Sequence, residues 1–298
     1  MNFFDLHCDT LTKCMDSGES IFKNTKQNSV FELSRFEKAN QLFAVFTDDP
    51  FVDDAYNYVN KAIAFFYSEL EKYADKIALY PNDGGKVGAV LTIEGGEPIE
   101  SLAALDEFYN KGVRLVTLTW NRVNKIGSGM TSGSTDGLTD FGKAVVREMN
   151  RKDIIIDVSH LNINGFKDVA ELSEKPFAAT HSNCRSICPH PRNLHDWQIT
   201  EIKNSGGIIG LNLYPPFLSE NPTADMDDIL RHTEHFLELG CEDILCLGCD
   251  FDGIDKTPEG INGVGDMPKI YEIMKKRYGN TADKIFFENA DRFFGNFM

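Results

Sequence analysis

The chain has 298 residues, 42% of them hydrophobic and 26% charged, with a formal net charge of −16. That length accommodates one barrel-sized domain or two small ones, and no tract is biased enough in composition to suggest disorder. The acidity sets up a field that repels phosphate backbones and anionic headgroups, which argues against nucleic acid or a membrane surface as a partner.

The opening residues, MNFFDLHCDTL, carry neither a basic leader nor an apolar stretch ending in a small-residue cleavage site. No later run approaches the roughly 18 apolar residues of a membrane-spanning helix, so a cytoplasmic protein is expected. Short apolar, β-branched runs then recur along the chain: FFDLHCD (3–9), QLFAVFT (41–47), KVGAVLTIE (86–94), RLVTLTW (114–120), IIIDVSH (154–160), PFAATH (176–181), GIIGLNL (207–213) and DILCLGCD (243–250). Between them, stretches such as 53–73 and 224–240 place apolar residues at three-and-four spacing among charges, as amphipathic helices do. Strands alternating with helices in this number predict a closed (β/α)8 TIM barrel. Without a glycine-rich linker or a composition break, residues 1–298 read as a single domain. The least regular segments, 17–30, 121–140 and 182–196, follow strands, where a barrel carries its site loops.

Seven cysteines are scattered over the chain, an odd number that fits reduced thiols. Cys246 and Cys249 have C-x-x-C spacing but lie inside an apolar run, so they read as buried strand residues rather than a redox or zinc pair.

The polar residues that stand out fall at the C-terminal ends of predicted strands: His7 and Asp9 on the first, Glu94 on the third, His160 and His181 on the fifth and sixth, and Asp250 on the last. Barrel closure brings such positions to one mouth. His7-x-Asp9 spacing on a strand points both side chains the same way, and Cys8 between them the other way. A lone histidine or glutamate in a strand is more often a hydrogen-bonded core residue, but so many buried N and O donors together are costly unless a metal compensates them. Imidazole plus carboxylate without thiolate suits Zn, Mn, Co or Fe(II). Four histidines remain. His190 and His195 flank Arg192 in one loop and so lie where a pocket wall is expected, as does Tyr214 after the seventh strand. His232 and His235, at i and i+3 on an acidic helix, read as surface residues.

The order of these pieces resembles the membrane (renal) dipeptidase family of metallopeptidases. The likeness runs through DLHCDTL, TIEGGE (92–97), GVRLVTLTWN (112–121), LTDFGKAVVREMN (138–150), IDVSHLN (156–162), ATHSN (179–183), PRN (191–193), GCDFDG (248–253) and ENADRFF (288–294). It implies two Zn2+ per chain, bridged by Glu94, with His7 and Asp9 completing one ion and His160 and His181 the other. A hydroxide held between the ions would attack the scissile carbonyl of a small dipeptide, including dipeptides with a C-terminal D-residue. Asp250 matches the aspartate that accepts the water proton and delivers it to the leaving amine, with Asp252 the second choice and more simply a structural residue of the DFDG turn. Arg192 matches the arginine that grips the substrate's carboxylate, a task suited to a guanidinium fork that cannot lose its charge. Trp120 departs from the pattern, standing where better-known members have a histidine. It can form an apolar wall or donate an indole N–H but cannot accept a proton or bind metal. Family members are often homodimers, so the resemblance leaves a homodimer open. The lipid anchor of the mammalian members is not expected, because RFFGNFM closes the chain without a hydrophobic tail. Two rival readings are another binuclear amidohydrolase on the same scaffold and a catalytically weak metal- or peptide-binding homologue.

Overall fold

In the computed structural model, which describes residues 1–82 and 85–298, each of the eight apolar runs contains a parallel strand. In chain order the strands are β1 (Asn2–Cys8), β2 (Lys38–Phe46), β3 (Ile77–Leu79), β4 (Val87–Glu94), β5 (Val113–Thr117), β6 (Ile155–Asp157), β7 (Ala178–Ala179), β8 (Ile208–Leu211) and β9 (Leu245–Leu247). Their hydrogen-bonded order, β2-β1-β9-β8-β7-β6-β5-β4, closes through a β2–β4 pairing that runs from Asn40↔Gly88 to Phe46↔Glu94. The result is the eight-stranded parallel barrel with surrounding helices predicted from the alternation. β3 is an addition to that prediction. It pairs with the first half of β4 through Ile77↔Val87, while β5 pairs with the second half of the same edge through Leu91↔Val113. Three residues ending in a half-exposed Leu79 are too short to show a period.

The barrel interior takes one or two apolar side chains from every barrel strand: Phe4 and Leu6, Leu42, Val90, Leu115, Ile155, Ala178, Ile208 and Cys246. Phe287, Ala290, Phe293 and Phe294 from the last helical segment pack on this layer and plug the end of the barrel where the strands begin. A second, larger apolar layer lies between strands and helices. Cys246 belongs to the inner layer and Cys249 to the outer one. Cys249 lies beyond the end of β9, and all seven cysteines are buried and free.

The amphipathic stretches become the helices Ala55–Lys72 and Met226–Glu238. The start of the second is fixed by Asp225, whose carboxylate accepts from the Asp227 and Asp228 backbone N–H groups. Helix Ile163–Leu172 is capped by Asn162 and helix Asp140–Arg151 by Thr139, each side chain accepting from a glycine N–H three residues on. Among the described residues no helix is long and apolar enough to cross a membrane.

Several strands end earlier than their apolar runs. β6 stops at Asp157, β7 at Ala179 and β9 at Leu247, so His160, His181 and Asp250 stand on the first residues of the following loops. Asp9 likewise lies beyond β1, in the bridge region between helical and extended backbone (φ −96°, ψ 9°), just before the helix Thr10–Ser17. The same-side argument for His7 and Asp9 thus fails in its premise: a turn, rather than strand alternation, brings the carboxylate back beside the imidazole. Cys8 does point away, its thiol donating to the Leu42 carbonyl.

Candidate metal centre

The barrel mouth gathers His7 from β1, Asp9 after it, Glu94 as the last residue of β4, and His160, His181 and Asp250 from the loops after β6, β7 and β9. All six are buried, none more than 9% exposed. Glu94 sits between two groups of donors. Its Oε1 lies 2.9 Å from His160 Nε2 and 3.5 Å from His181 Nε2, while Oε2 lies 3.4 Å from His7 Nε2. His7 Nε2 is in turn 3.7 Å from Asp9 Oδ2 and 3.8 Å from Asp250 Oδ1.

Backbone geometry aims two of these side chains. His160 (φ 67°) and Asp250 (φ 63°) occupy the left-handed region, which residues with a Cβ adopt only when their surroundings hold them there. Asp250 is anchored by Asn212 Nδ2 at 3.0 Å, and the His160 backbone carbonyl accepts from Met130 N–H.

The chemistry of this donor set fits divalent cations. His160 and His181 are hydrogen-bonded at Nδ1, to Asn121 Oδ1 (3.0 Å) and Thr180 Oγ1 (2.8 Å), and turn their Nε2 atoms toward each other at 2.9 Å. Burial holds both rings neutral, pushing His160 down to about 4 and His181 well below its usual value. Two neutral imidazoles and a carboxylate oxygen thus converge on one point. In the other half, His7 Nε2 and Asp9 Oδ1 are buried without a hydrogen-bond partner. Burial opposes charge on His7, yet Glu94 and Asp9 together raise its imidazole well above the usual range. The carboxylates therefore recruit a proton where a divalent ion would satisfy them better. Possible ligand atoms of His7, Glu94 and His181 lie within 4.8 Å of one another, and so do those of His7, Asp9 and Asp250. Burial, with the negative charges of Asp9 and Glu94, raises Asp250 to about 7 despite the opposing pull of His7. A cation beside it would lower that value again.

A cavity of about 300 Å3 opens above these donors, within the range of small-ligand sites. Trp120 and Tyr214 both line it, with Phe46, Phe217 and Lys13. Trp120 packs between the Phe46 ring (4.9 Å) and His160 (6.2 Å). Arg192 is 5% exposed, lies over the Phe217 ring at 5.5 Å, and leaves Nε and Nη2 without partners. Burial lowers it to about 10, against the pull of Asp250 and Glu94, so the guanidinium is still charged at neutral pH.

The remaining histidines divide. His190 accepts from the Arg192 backbone N–H and packs on Phe217, supporting the loop that carries the arginine. His195 instead starts the helix Asp196–Asn204, its N–H donating to Gln198. His232 corrects the surface reading: it is fully buried, with Nδ1 accepting from Cys184 N–H and Nε2 donating to the Leu218 carbonyl. It staples the loops after β7 and β8 to the helix behind them, a use that spacing on the helix could not reveal. Asp252 is structural, its oxygens accepting from Thr10 and Gln27. Sequence reasoning did not single out Asn121, Asp157, Thr180 or Asn212. Asn121, Thr180 and Asn212 bond to His160, His181 and Asp250, and Asp157 bonds to Thr180 behind them, through polar groups that follow no apolar period.

Fold and site together define a (β/α)8 barrel with a buried metal-ligand cluster at the C-terminal ends of its strands. The chain belongs to the membrane dipeptidase family, peptidase family M19, whose family model matches residues 1–297. It is 38% identical over 181 residues to an uncharacterized protein in the pqqA 5' region of Klebsiella pneumoniae, covering 57% of this chain and 66% of that protein. It is 32% identical over 218 residues to an uncharacterized dipeptidase of Schizosaccharomyces pombe, covering 71% of this chain and 52% of that protein. The alignments thus span less than two thirds of either relative's own length. Among solved structures, a metallo peptidase from Rhodobacter sphaeroides liganded with a phosphinate mimic of the dipeptide L-Ala-D-Ala superposes with a TM-score of 0.91 at 26% identity, covering 100% of this chain and 99% of that one. The dipeptidase AC of family M19 gives 0.89 at 28%, covering 97% and 96%.

Proposed function

We propose that this chain is a metal-dependent dipeptidase holding two zinc ions in a single-domain barrel. His160, His181 and Glu94 Oε1 would hold one ion, and His7, Asp9 and Glu94 Oε2 the other. The same donors also accept Mn2+, Co2+ or Fe2+. The observation that carries this reading is the position of Glu94, whose two oxygens face separate groups of donors. Bound there, the ions supply Lewis acidity that activates water and polarises the scissile carbonyl.

The chain's own residues do the rest. Arg192, charged and with two unpartnered nitrogens, binds the α-carboxylate of the substrate and so places the peptide bond over the centre. A longer peptide would leave that buried guanidinium unpaired, which restricts the site to dipeptides. Asp250, held by Asn212 at one oxygen and facing the donors with the other, accepts a proton from the attacking water and returns it to the leaving amine. Trp120 and Tyr214 form walls of the cavity, Trp120 contributing packing where it cannot exchange protons at neutral pH. The R. sphaeroides enzyme's dipeptide mimic supports substrates with a D-residue in second place. Seven buried free thiols support a reducing, cytoplasmic setting.

The test is hydrolysis of a panel of L-L and L-D dipeptides by zinc-loaded protein, with Asp250→Asn as control. Turnover of at least one dipeptide that collapses in the control supports the reading. Metal and ligand binding without turnover would leave a binding protein instead.

A further inference from the structure

The carboxylate of Asp157, fully buried at the end of β6, accepts four hydrogen bonds. Oδ1 takes the backbone N–H groups of Ser159 (3.0 Å) and Thr180 (2.9 Å), and Oδ2 takes the hydroxyls of Thr117 (2.6 Å) and Thr180 (2.7 Å). These four donors fill the lone-pair sites of a carboxylate. Thr180 has one hydroxyl proton, and it is committed to Asp157. Its oxygen, 2.8 Å from His181 Nδ1, can therefore only accept, so Nδ1 must carry the ring's proton. The ring is buried, and its Nε2 faces Glu94 at 3.5 Å and His160 at 2.9 Å.

We propose that Thr180 is a positioning residue of the metal centre: backed by Asp157, its hydroxyl fixes His181 as the Nδ1–H tautomer and offers Nε2 to the ion. The proposal rests on reading His181 as a ligand. Its chemistry is that of an orienting carboxylate behind a ligating histidine, here transmitted through one hydroxyl. Thr117 provides an internal control, because it makes an equivalent bond to the same Asp157 oxygen without touching His181. A merely structural role for this network would make the two threonines interchangeable in their effects.

The experiment has two readouts. Nitrogen-15 NMR of histidine-labelled, metal-free protein reports which ring nitrogen of His181 is protonated. Zinc competition titration against a chelator reports affinity. Wild type should show Nδ1–H. Thr180→Val, nearly isosteric, should populate Nε2–H and weaken zinc binding about 10–100-fold. Thr180→Ser should restore both, and Thr117→Val should leave tautomer and affinity as in wild type. An Nε2–H signal in wild type would overturn the proposal even if no variant folded, and so would equal losses in Thr180→Val and Thr117→Val. If wild-type protein took up no zinc, the metal reading would fail, while the tautomer assignment would still be decided by the NMR spectrum.

Discussion

The two ends of the barrel are built on opposite terms. Where the strands begin, Phe4 meets Phe294 at 5.4 Å and Phe294 meets Phe293 at 5.5 Å in an apolar plug, and the nearby Asn289 amide is satisfied by the Glu242 and Leu245 carbonyls. Where the strands end, His7, Asp9 and Arg192 bury polar atoms without partners, and His160 and Asp250 hold left-handed backbone. The first end is built mainly of packed aromatic rings, and the second concentrates unpartnered polar atoms and left-handed backbone. Stability and chemistry are thus assigned to different mouths, and costs at the second are carried by packing at the first.

That contrast can be broken by moving one end without the other. The largest effect is expected at the polar mouth: Glu94→Gln should lower kcat/KM by on the order of 10^3-fold or more with loss of bound metal, measured by steady-state kinetics and metal analysis. At the apolar plug, Phe294→Ala should cost about 3–5 kcal/mol of unfolding free energy while leaving the kinetics of the folded fraction unchanged. A fall in metal affinity in that variant would show the two ends to be coupled.

His232, behind the polar mouth, sharpens the comparison through pH. Burial depresses its folded value to about 4, so its stabilising effect is present above the unfolded imidazole value of about 6.5 and is lost as pH falls from there through 4. The shift corresponds to about 3 kcal/mol. Urea midpoints measured from pH 7 to pH 4 should therefore fall more steeply in wild type than in His232→Gln, and parallel slopes would contradict this role. The smallest effect is expected for Arg192→Met, which should raise KM about 10^2-fold for dipeptides with little change in kcat, as loss of a carboxylate clamp does.

Much of this was legible from residues alone. Apolar alternation located all eight barrel strands, because a parallel strand buried on both faces writes a continuous run. Strand-end placement singled out the six residues that the fold brings to one mouth. What escaped were features without a period. β3 is three residues long, the turn at Asp9 replaces strand alternation, and His232 is buried by loops that fold over its helix from elsewhere in the chain. Thr180 and Asp157 were visible as letters inside ATHSN and IDVSH, but a hydrogen bond between neighbouring strands has no signature along either one.

The most direct test of the account is the metal content of zinc-saturated protein by native mass spectrometry. A Glu94 bridging two groups of donors predicts two ions per chain. A limit of one ion, or none, would contradict the shared centre on which the proposed chemistry depends.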